Sequence, residues 1–156
     1  GFSRDAMLET LRTFPGLPHR TQWVADINAV RWIDDSKGTN VGATAAALRG
    51  LQGPLIVIAG GDGKGQNFLP LTDAFRGKVR HAVLIGQDAP VLAEVLRTVC
   101  STERATSMEK AVAAAASRAR PGDTVLLSPA CSSLDMFRDF AHRGQVFADA
   151  VRGMAS

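Results

Sequence analysis

Three short polar stretches carry the side chains best suited to chemistry in this sequence: loop 1 (residues 35–40), loop 2 (residues 60–65) and loop 3 (residues 128–133). Loops 1 and 2 supply the ammonium groups of Lys37 and Lys64, and all three loops are rich in glycine, serine or threonine. Ammonium groups and hydroxyls bind carboxylates and phosphates through charge-assisted hydrogen bonds worth roughly 1.5–3 kcal/mol each. The pattern therefore predicts a site for a small acidic molecule, without itself indicating a group that makes or breaks bonds.

Loop 1 leads into a predicted alanine-rich helix. The N-terminus of a helix offers unpaired N–H groups and a partial positive charge, and both favour an anion. Lys37 and Thr39 would add a full charge and a hydroxyl beside it. A simpler interpretation, favoured from spacing alone, is that Thr39 or Asn40 only caps the helix.

Loop 2 has the sequence Gly-Gly-Asp-Gly-Lys-Gly and follows an apolar run. Glycine permits a positive φ and a close approach of the backbone to a ligand, so Asp62 and Lys64 would project at the end of a strand. A phosphate-binding P-loop is excluded, because Gly65 follows Lys64 where Ser or Thr is required and Ile58 occupies the position of the first glycine. A plain flexible turn remains the alternative.

Loop 3 contains hydroxyl and thiol groups, which are candidate nucleophiles. The Gly-x-Ser-x-Gly pattern of a nucleophile elbow is absent, however, and no histidine has the context of a catalytic triad. Cys131 is expected to be a small buried thiol, which is commoner than a reactive one. A hydroxyl of Ser132 or Ser133 therefore suits ligand binding better, and no catalytic residue is expected within this chain alone.

The apolar pattern places each of these loops directly after a predicted strand. It predicts a β-hairpin over residues 21–35, strands at 55–59, 82–85 and 124–127, a short strand near 104–105, and helices at 5–13, 41–51, 69–75, 89–99, 108–118 (with Ser107 as N-cap) and 135–151. Such alternation is typical of an α/β fold: a Rossmann-like, doubly wound and mostly parallel sheet, here with an N-terminal β-hairpin. Ligands of such sheets bind beyond the carboxyl ends of the strands, where loops 1, 2 and 3 would meet.

Composition excludes several other classes of protein. The 156 residues suit one domain, and the net charge of +3 comes from scattered residues and not from the dense basic stripe of a nucleic-acid-binding surface. The two cysteines are too few for a disulfide framework and lack zinc-site spacing, so we expect reduced thiols and no metal site. Since the sequence has no signal-peptide pattern and no apolar run of about 18 residues, we expect a cytoplasmic monomer that binds neither membrane nor nucleic acid.

Four motifs, in this order along the chain, resemble those of the Mur ligase family in its C-terminal domain. They are Gly16-Leu17-Pro18-His19-Arg20, Asp35-Ser36-Lys37-Gly38-Thr39-Asn40, Gly60-Gly61-Asp62-Gly63-Lys64 and Ser128-Pro129-Ala130-Cys131-Ser132-Ser133-Leu134-Asp135, followed by Arg143-Gly144 and Phe147. The resemblance implies that residues 16–156 are the amino-acid-binding domain of such a ligase. Residues 1–15 would then be the end of a preceding domain or a hinge helix.

Loop 1 favours the branch of the family that adds D-glutamate, because sister ligases have Asp-x-x-His or Asp-x-x-Asn with a nearby Pro. Gly38 stands where the family often has Ala, a mild departure. The alternatives are a folylpolyglutamate synthase or another Mur-type ligase domain, and a non-catalytic module that binds an acid or a nucleotide.

The resemblance also implies a reaction and roles for residues. ATP would phosphorylate the carboxylate of UDP-N-acetylmuramoyl-L-alanine, and the amine of D-glutamate would attack the acyl phosphate during peptidoglycan synthesis. The residues that would bind D-glutamate are Lys64, Thr39, Ser133 and Phe140; those that would bind the nucleotide are Arg20, Asp35 and Lys37; those that would organise loop 2 are Asp62, Gly61 and Gly63. ATP and Mg²⁺ would be held mainly by a central domain outside this sequence, so we expect the isolated chain to be inactive.

Overall fold

The computed structural model describes residues 19–155, so the predicted helix at 5–13 and the first residues of the first motif lie outside the description. The strands are β1 (Gln22–Ile27), β2 (Val30–Asp34), β3 (Leu55–Gly60), β4 (Val79–Ile85), β5 (Ser101–Arg104) and β6 (Thr124–Leu127). The helices are α1 (Val41–Gly50), α2 (Pro70–Phe75), α3 (Ala89–Leu96), α4 (Met108–Arg118) and α5 (Phe140–Met154). Strands and helices thus alternate from β2 onwards, as the apolar pattern predicts.

The strands form one sheet in the order β1-β2-β6-β3-β4-β5. Every pair from β2 to β5 is parallel, and only β1 runs antiparallel, in a hairpin with β2. The hairpin turns at Asn28 and Ala29, both with a positive φ, as the turns that match the twist of paired strands require. The predicted Rossmann-like, mostly parallel sheet with an N-terminal hairpin is confirmed.

Apolar side chains cover both faces of the sheet. On one face Leu48 of α1, Phe75 of α2 and Leu92 of α3 pack against the strands, and all three are completely buried. The other face is covered by α4 and α5, which bury Val112 and Phe147. Because helices lie on both sides, every residue of β3 is buried, which explains its continuous aliphatic sequence.

The ends of most elements follow from local signals in the sequence. Ser107 caps α4 by accepting a hydrogen bond from the backbone N–H of Lys110 at 3.1 Å, as predicted. The predicted start of the last helix at residue 135 is wrong, because α5 begins at Phe140. The chain makes a single turn after loop 3, and Asp139 is extended and caps α5 by accepting from the N–H of His142 at 2.7 Å.

Helix α5 lies close to the first residues of the description. His19 Nδ1 and Asp34 Oδ2 are 2.6 Å apart, and a Cβ added to Gly144 would lie 2.3 Å from that nitrogen and 2.7 Å from that oxygen. A glycine in α5 is therefore needed for the helix to pack against this pair. No helix between residues 19 and 155 combines the length and apolar character needed to cross a membrane.

Replacing Gly144 by alanine should lower the free energy of unfolding by about 1–3 kcal/mol, because the new methyl group overlaps the His19–Asp34 pair. Thermal unfolding followed by circular dichroism measures this. Gly153→Ala is the matched control in the same helix: its Cβ would meet no atom within 4 Å, and alanine is the better helix former. Equal melting temperatures for Gly144→Ala and Gly153→Ala would contradict the packing argument.

Candidate functional site

Loops 1, 2 and 3 leave the carboxyl ends of β2, β3 and β6, which are neighbours in the sheet. After β3 the chain adds β4 and β5 outward to one edge of the sheet, and it then returns to place β6 on the other side of β3. The direction of winding therefore changes between β3 and β6. Ligands of doubly wound sheets bind at such a point. A cavity of about 480 Å³ lies there, lined by Thr39, Asn40, Asp62, Gly63, Lys64, Gln66, Ser132, Ser133, Leu134, Asp139 and Phe140.

Loop 2 is held against loop 3 by two backbone hydrogen bonds. Asp62 N donates to Ser132 O at 3.1 Å, and Ser132 N donates to Asp62 O at 2.8 Å. The Asp62 carboxylate also accepts from the backbone N–H of Lys64 at 2.9 Å, and Lys64 takes a positive φ of 52°. The loop therefore turns sharply at Lys64 and leaves its ammonium group at the cavity, with no ion-pair partner within residues 19–155.

At two positions of loop 2 the neighbouring atoms leave room only for glycine. A Cβ at Gly61 would lie 2.3 Å from the carbonyl oxygen of Ser132, and Gly61 has a φ of 131°, which L side chains rarely adopt. A Cβ at Gly63 would lie 2.4 Å from the ring of Phe68, and the Gly63 N–H donates to an Asp88 carboxylate oxygen at 2.6 Å. Both positions serve the shape of the loop.

The start of α1 resolves the two interpretations of loop 1. Asn40 caps the helix, since its side chain accepts from Ala43 N at 2.9 Å, and the N–H of Val41 is taken by the side chain of Gln66 at 3.0 Å. The capping interpretation thus holds for Asn40, and two of the donors expected for an anion are used internally. Thr39 is not the cap; it lines the cavity, and its hydroxyl has no hydrogen-bond partner in the described part of the chain.

Asp35 faces inward, away from the cavity. It is only 5% exposed, and its carboxylate accepts from Thr21 N at 3.0 Å and from the hydroxyl of Ser128 at 2.7 Å. Burial raises the pKa of this carboxyl above its ordinary value. Arg20 is exposed at the surface beside it. Asp35 therefore supports the backbone of loop 1 from behind.

Phe140 lines the cavity and is also close to Lys37. Lys64 lines the same cavity, and the ammonium nitrogen of Lys37 lies 5.7 Å from the centre of the Phe140 ring. A cation this close to the face of an aromatic ring is attracted by it. Lys37 itself is not among the residues that line the cavity.

Ser133 brings a third polar group to the cavity. It is 3% exposed, and its carbonyl accepts from the N–H groups of Met136 and Phe137 at 3.1 and 2.8 Å. The hydroxyl of Ser133 has no hydrogen-bond partner between residues 19 and 155. The same holds for the hydroxyl of Thr39 and the ammonium group of Lys64, and all three residues line the cavity. All four residues that the resemblance implies for the amino acid are thus brought together at one cavity. Cys131 is completely buried, and burial raises its pKa to about 12, which fits an inert thiol.

The sequence does not predict the structural role of Arg143 in this region. Its guanidinium is completely buried and donates to the hydroxyl of Ser36 at 2.9 Å, the carbonyl of Ser36 at 2.6 Å and the carbonyl of Cys131 at 3.0 Å. The Ser36 hydroxyl in turn donates to the carbonyl of Phe140 at 2.6 Å. Burial lowers the pKa of Arg143 to about 10, so it remains a cation at neutral pH. The only sequence signal was its place in the Arg143-Gly144 motif.

No cluster of three or more His, Cys, Asp or Glu residues between positions 19 and 155 is arranged to hold a metal ion. The carboxylates of Asp62 and Asp139 at the cavity accept from the backbone N–H groups of Lys64 and His142. The Lys64 ammonium group and the hydroxyls of Thr39 and Ser133 remain, and such groups suit oxygen atoms of anions. The arrangement can therefore bind and orient an acidic molecule.

Asp35→Asn should be more stable than the wild-type protein, and this gain in the free energy of unfolding should grow as the pH rises above 3.8, the ordinary pKa of this carboxyl. The folded state holds the proton more tightly than the unfolded chain, so the wild-type protein loses stability as the pH rises through the raised pKa. Asparagine carries no such charge and can still pair with Thr21 and Ser128. Urea denaturation between pH 4 and 7 measures the difference. Asp73→Asn, whose side chain is 86% exposed, is the control; a stability gain that shrinks with rising pH would contradict the prediction.

The sequence matches a known protein family. Residues 19–131 match the model of the family described as Mur ligase, glutamate ligase domain. Two curated relatives are named UDP-N-acetylmuramoylalanine--D-glutamate ligase. The one from Legionella pneumophila (strain Lens) is 53% identical over 99% of this chain and 35% of its own length. The one from Methylococcus capsulatus is 55% identical over 99% of this chain and 34% of its own length. The chain thus spans about a third of the length of these relatives.

Solved structures show the same fold at low sequence identity. The folylpolyglutamate synthase of Thermotoga maritima matches with a TM-score of 0.61 and 16% identity, over 98% of this chain and 35% of that one. The UDP-N-acetylmuramate-alanine ligase of the same organism matches with a TM-score of 0.61 and 13% identity, over 99% of this chain and 34% of that one. Since the family model covers most of the sequence, the chain belongs to the family of Mur ligase, glutamate ligase domains.

Proposed function

We propose that this chain is the C-terminal, amino-acid-binding domain of an ATP-dependent ligase that joins D-glutamate to UDP-N-acetylmuramoyl-L-alanine, with residues 1–15 as the end of a preceding domain or a hinge. Relatives of 53% and 55% identity bear the name of that ligase. The observation that carries the proposal is one cavity with a cation and two hydroxyls, from three different loops, that lack protein partners within residues 19–155.

D-Glutamate fits this cavity by charge and by number of groups. Its two carboxylates need cationic and hydroxyl donors, which Lys64, Thr39 and Ser133 would supply in charge-assisted hydrogen bonds. The Phe140 ring offers an apolar surface for the methylene groups between the carboxylates. Asp62, Gly61 and Gly63 would act indirectly, since their bonds and packing fix the turn that presents Lys64.

The nucleotide would lie on the other side of Phe140. Arg20 is exposed and Lys37 lies outside the cavity, so both are available to phosphate oxygens. Asp35 would hold the backbone that carries these two cations through its bonds to Thr21 and Ser128. Mg²⁺, which prefers carboxylate oxygens and phosphates, would be held mainly by the rest of the ligase.

In this reaction the chain's own residues bind and orient one substrate. ATP would phosphorylate the acceptor carboxylate, and the D-glutamate amine would attack the acyl phosphate to give an amide and phosphate. Chemistry of this kind needs phosphates, metal ions and exclusion of water in one closed site. The free thiols Cys100 and Cys131 agree with a reducing, cytoplasmic setting.

The 156-residue chain alone should release no phosphate in a sustained manner when mixed with ATP, Mg²⁺, D-glutamate and UDP-N-acetylmuramoyl-L-alanine. The described residues supply no metal cluster, and the proposal gives this chain only the amino acid and part of the nucleotide to bind. A coupled phosphate assay measures this. The full-length ligase carrying the same sequence is the positive control. Sustained phosphate release by the isolated chain would contradict the proposal that the reaction needs the rest of the ligase.

In the full-length ligase, Lys64→Ala should raise the KM for D-glutamate about 10- to 100-fold, the equivalent of one charge-assisted hydrogen bond. The matched control is Lys110→Ala, which removes an exposed lysine of α4 that does not line the cavity, and it should leave the KM unchanged. An unchanged KM for Lys64→Ala would remove this lysine from the site. Turnover with L-glutamate and a folate, in place of D-glutamate, would favour the folylpolyglutamate synthase alternative.

A further inference from the structure

Gln66 contacts all three loops of the site or the residues next to them, through its side chain and its backbone. Its Oε1 accepts from the backbone N–H of Val41 at 3.0 Å, and its Nε2 donates to the carbonyl of Ala130 at 2.7 Å. Its own backbone N–H donates to the carbonyl of Gly63 at 3.1 Å. The residue is half-buried and lines the cavity. The side-chain amide thus connects the start of α1 to the middle of loop 3, and the backbone N–H of the same residue bonds to the turn of loop 2.

Each of these bonds ends close to one of the groups proposed to bind the amino acid. Thr39 lies two residues before Val41, Lys64 lies two residues before Gln66, and Ser133 lies three residues after Ala130. The connection is reinforced because Ala130 N donates to the carbonyl of Gly38 at 2.9 Å. The distances among the hydroxyls and the ammonium group therefore depend partly on the bridge that Gln66 makes, beside the direct pairing of Asp62 with Ser132.

A neutral amide satisfies both partners at once. Val41 offers a donor and Ala130 offers an acceptor, so the bridging group must accept on one side and donate on the other. A carboxylate would accept from the N–H of Val41 but could not donate to the carbonyl of Ala130. It would also add a negative charge to the cavity that is proposed to bind an acidic amino acid. The amide also occupies the Val41 N–H, which leaves the hydroxyl of Thr39 as the group that loop 1 offers to a ligand.

We infer that Gln66 is a positioning residue: it sets the spacing between the groups that bind the two carboxylates of the amino acid, without touching the reacting atoms. This inference rests on the proposed function. Because the two carboxylates of D-aspartate lie closer together, a change in this spacing should alter the discrimination between D-glutamate and D-aspartate.

The test uses the full-length ligase and two nearly isosteric variants. Gln66→Met removes both hydrogen bonds, and Gln66→Glu keeps the acceptor, loses the donor and adds a charge. We expect Gln66→Met to raise the KM for D-glutamate about tenfold, as the loss of one to two hydrogen bonds implies, and Gln66→Glu to raise it further. The KM for ATP should stay unchanged, and the ratio of kcat/KM for D-glutamate to that for D-aspartate should fall in both variants.

The matched control is Gln52→Ala, which removes an exposed glutamine outside the cavity and should change neither KM. Thermal unfolding of every variant separates positioning from general loss of structure. A fall in melting temperature with equal increases of the KM for ATP and for D-glutamate would overturn the inference, as would an unchanged KM for D-glutamate in both Gln66 variants. A wild-type ligase that shows no D-glutamate-dependent phosphate release would instead refute the proposed function, and the inference with it.

Discussion

A completely buried guanidinium holds the site region together. Arg143 donates to a hydroxyl and a carbonyl of Ser36 and to the carbonyl of Cys131, so it connects loop 1, loop 3 and α5. Burying a cation costs several kcal/mol unless its donors are satisfied, and no carboxylate within residues 19–155 contacts it directly. The two carbonyls and the hydroxyl must therefore remain in place, which fixes the backbone on either side of the cavity and the start of α5 at Phe140.

Because this frame satisfies its own polar groups, the groups left over are the ones available to a ligand. Loops 2 and 3 pair through Asp62 and Ser132, and Asn40 and Gln66 occupy two N–H groups at the start of α1. Within residues 19–155, the hydroxyls of Thr39 and Ser133 have no such task. Donors fixed in advance lose little conformational freedom when a ligand binds, so a few hydrogen bonds can give useful affinity.

The sequence predicts those features that depend on neighbouring residues. The aliphatic run of β3, the hairpin of β1 and β2 and the Ser107 cap of α4 are all local, and each is found where the pattern places it. The adjacency of the three loops also follows, because parallel strands end at one edge. Contacts between distant parts of the chain are not predictable in this way: Arg143 meets Ser36 across 107 positions. The predicted start of α5 is wrong for another reason: apolar residues continue through the turn that Ser133 closes, ahead of the Asp139 cap.

The two positive places of this region explain how one domain could serve two anions. If D-glutamate occupies the cavity beside Lys64 and phosphates lie near Lys37 and Arg20, Phe140 would be close to both, because it lines the cavity and its ring centre lies 5.7 Å from the Lys37 ammonium nitrogen. Cations gathered at one point would repel one another and would bind either anion without distinction. Because Lys37 belongs to loop 1 and Lys64 to loop 2, each anion would have a cation of its own. The position of Phe140 depends in turn on Ser36 and Arg143, so the buried guanidinium determines where the two anions would meet.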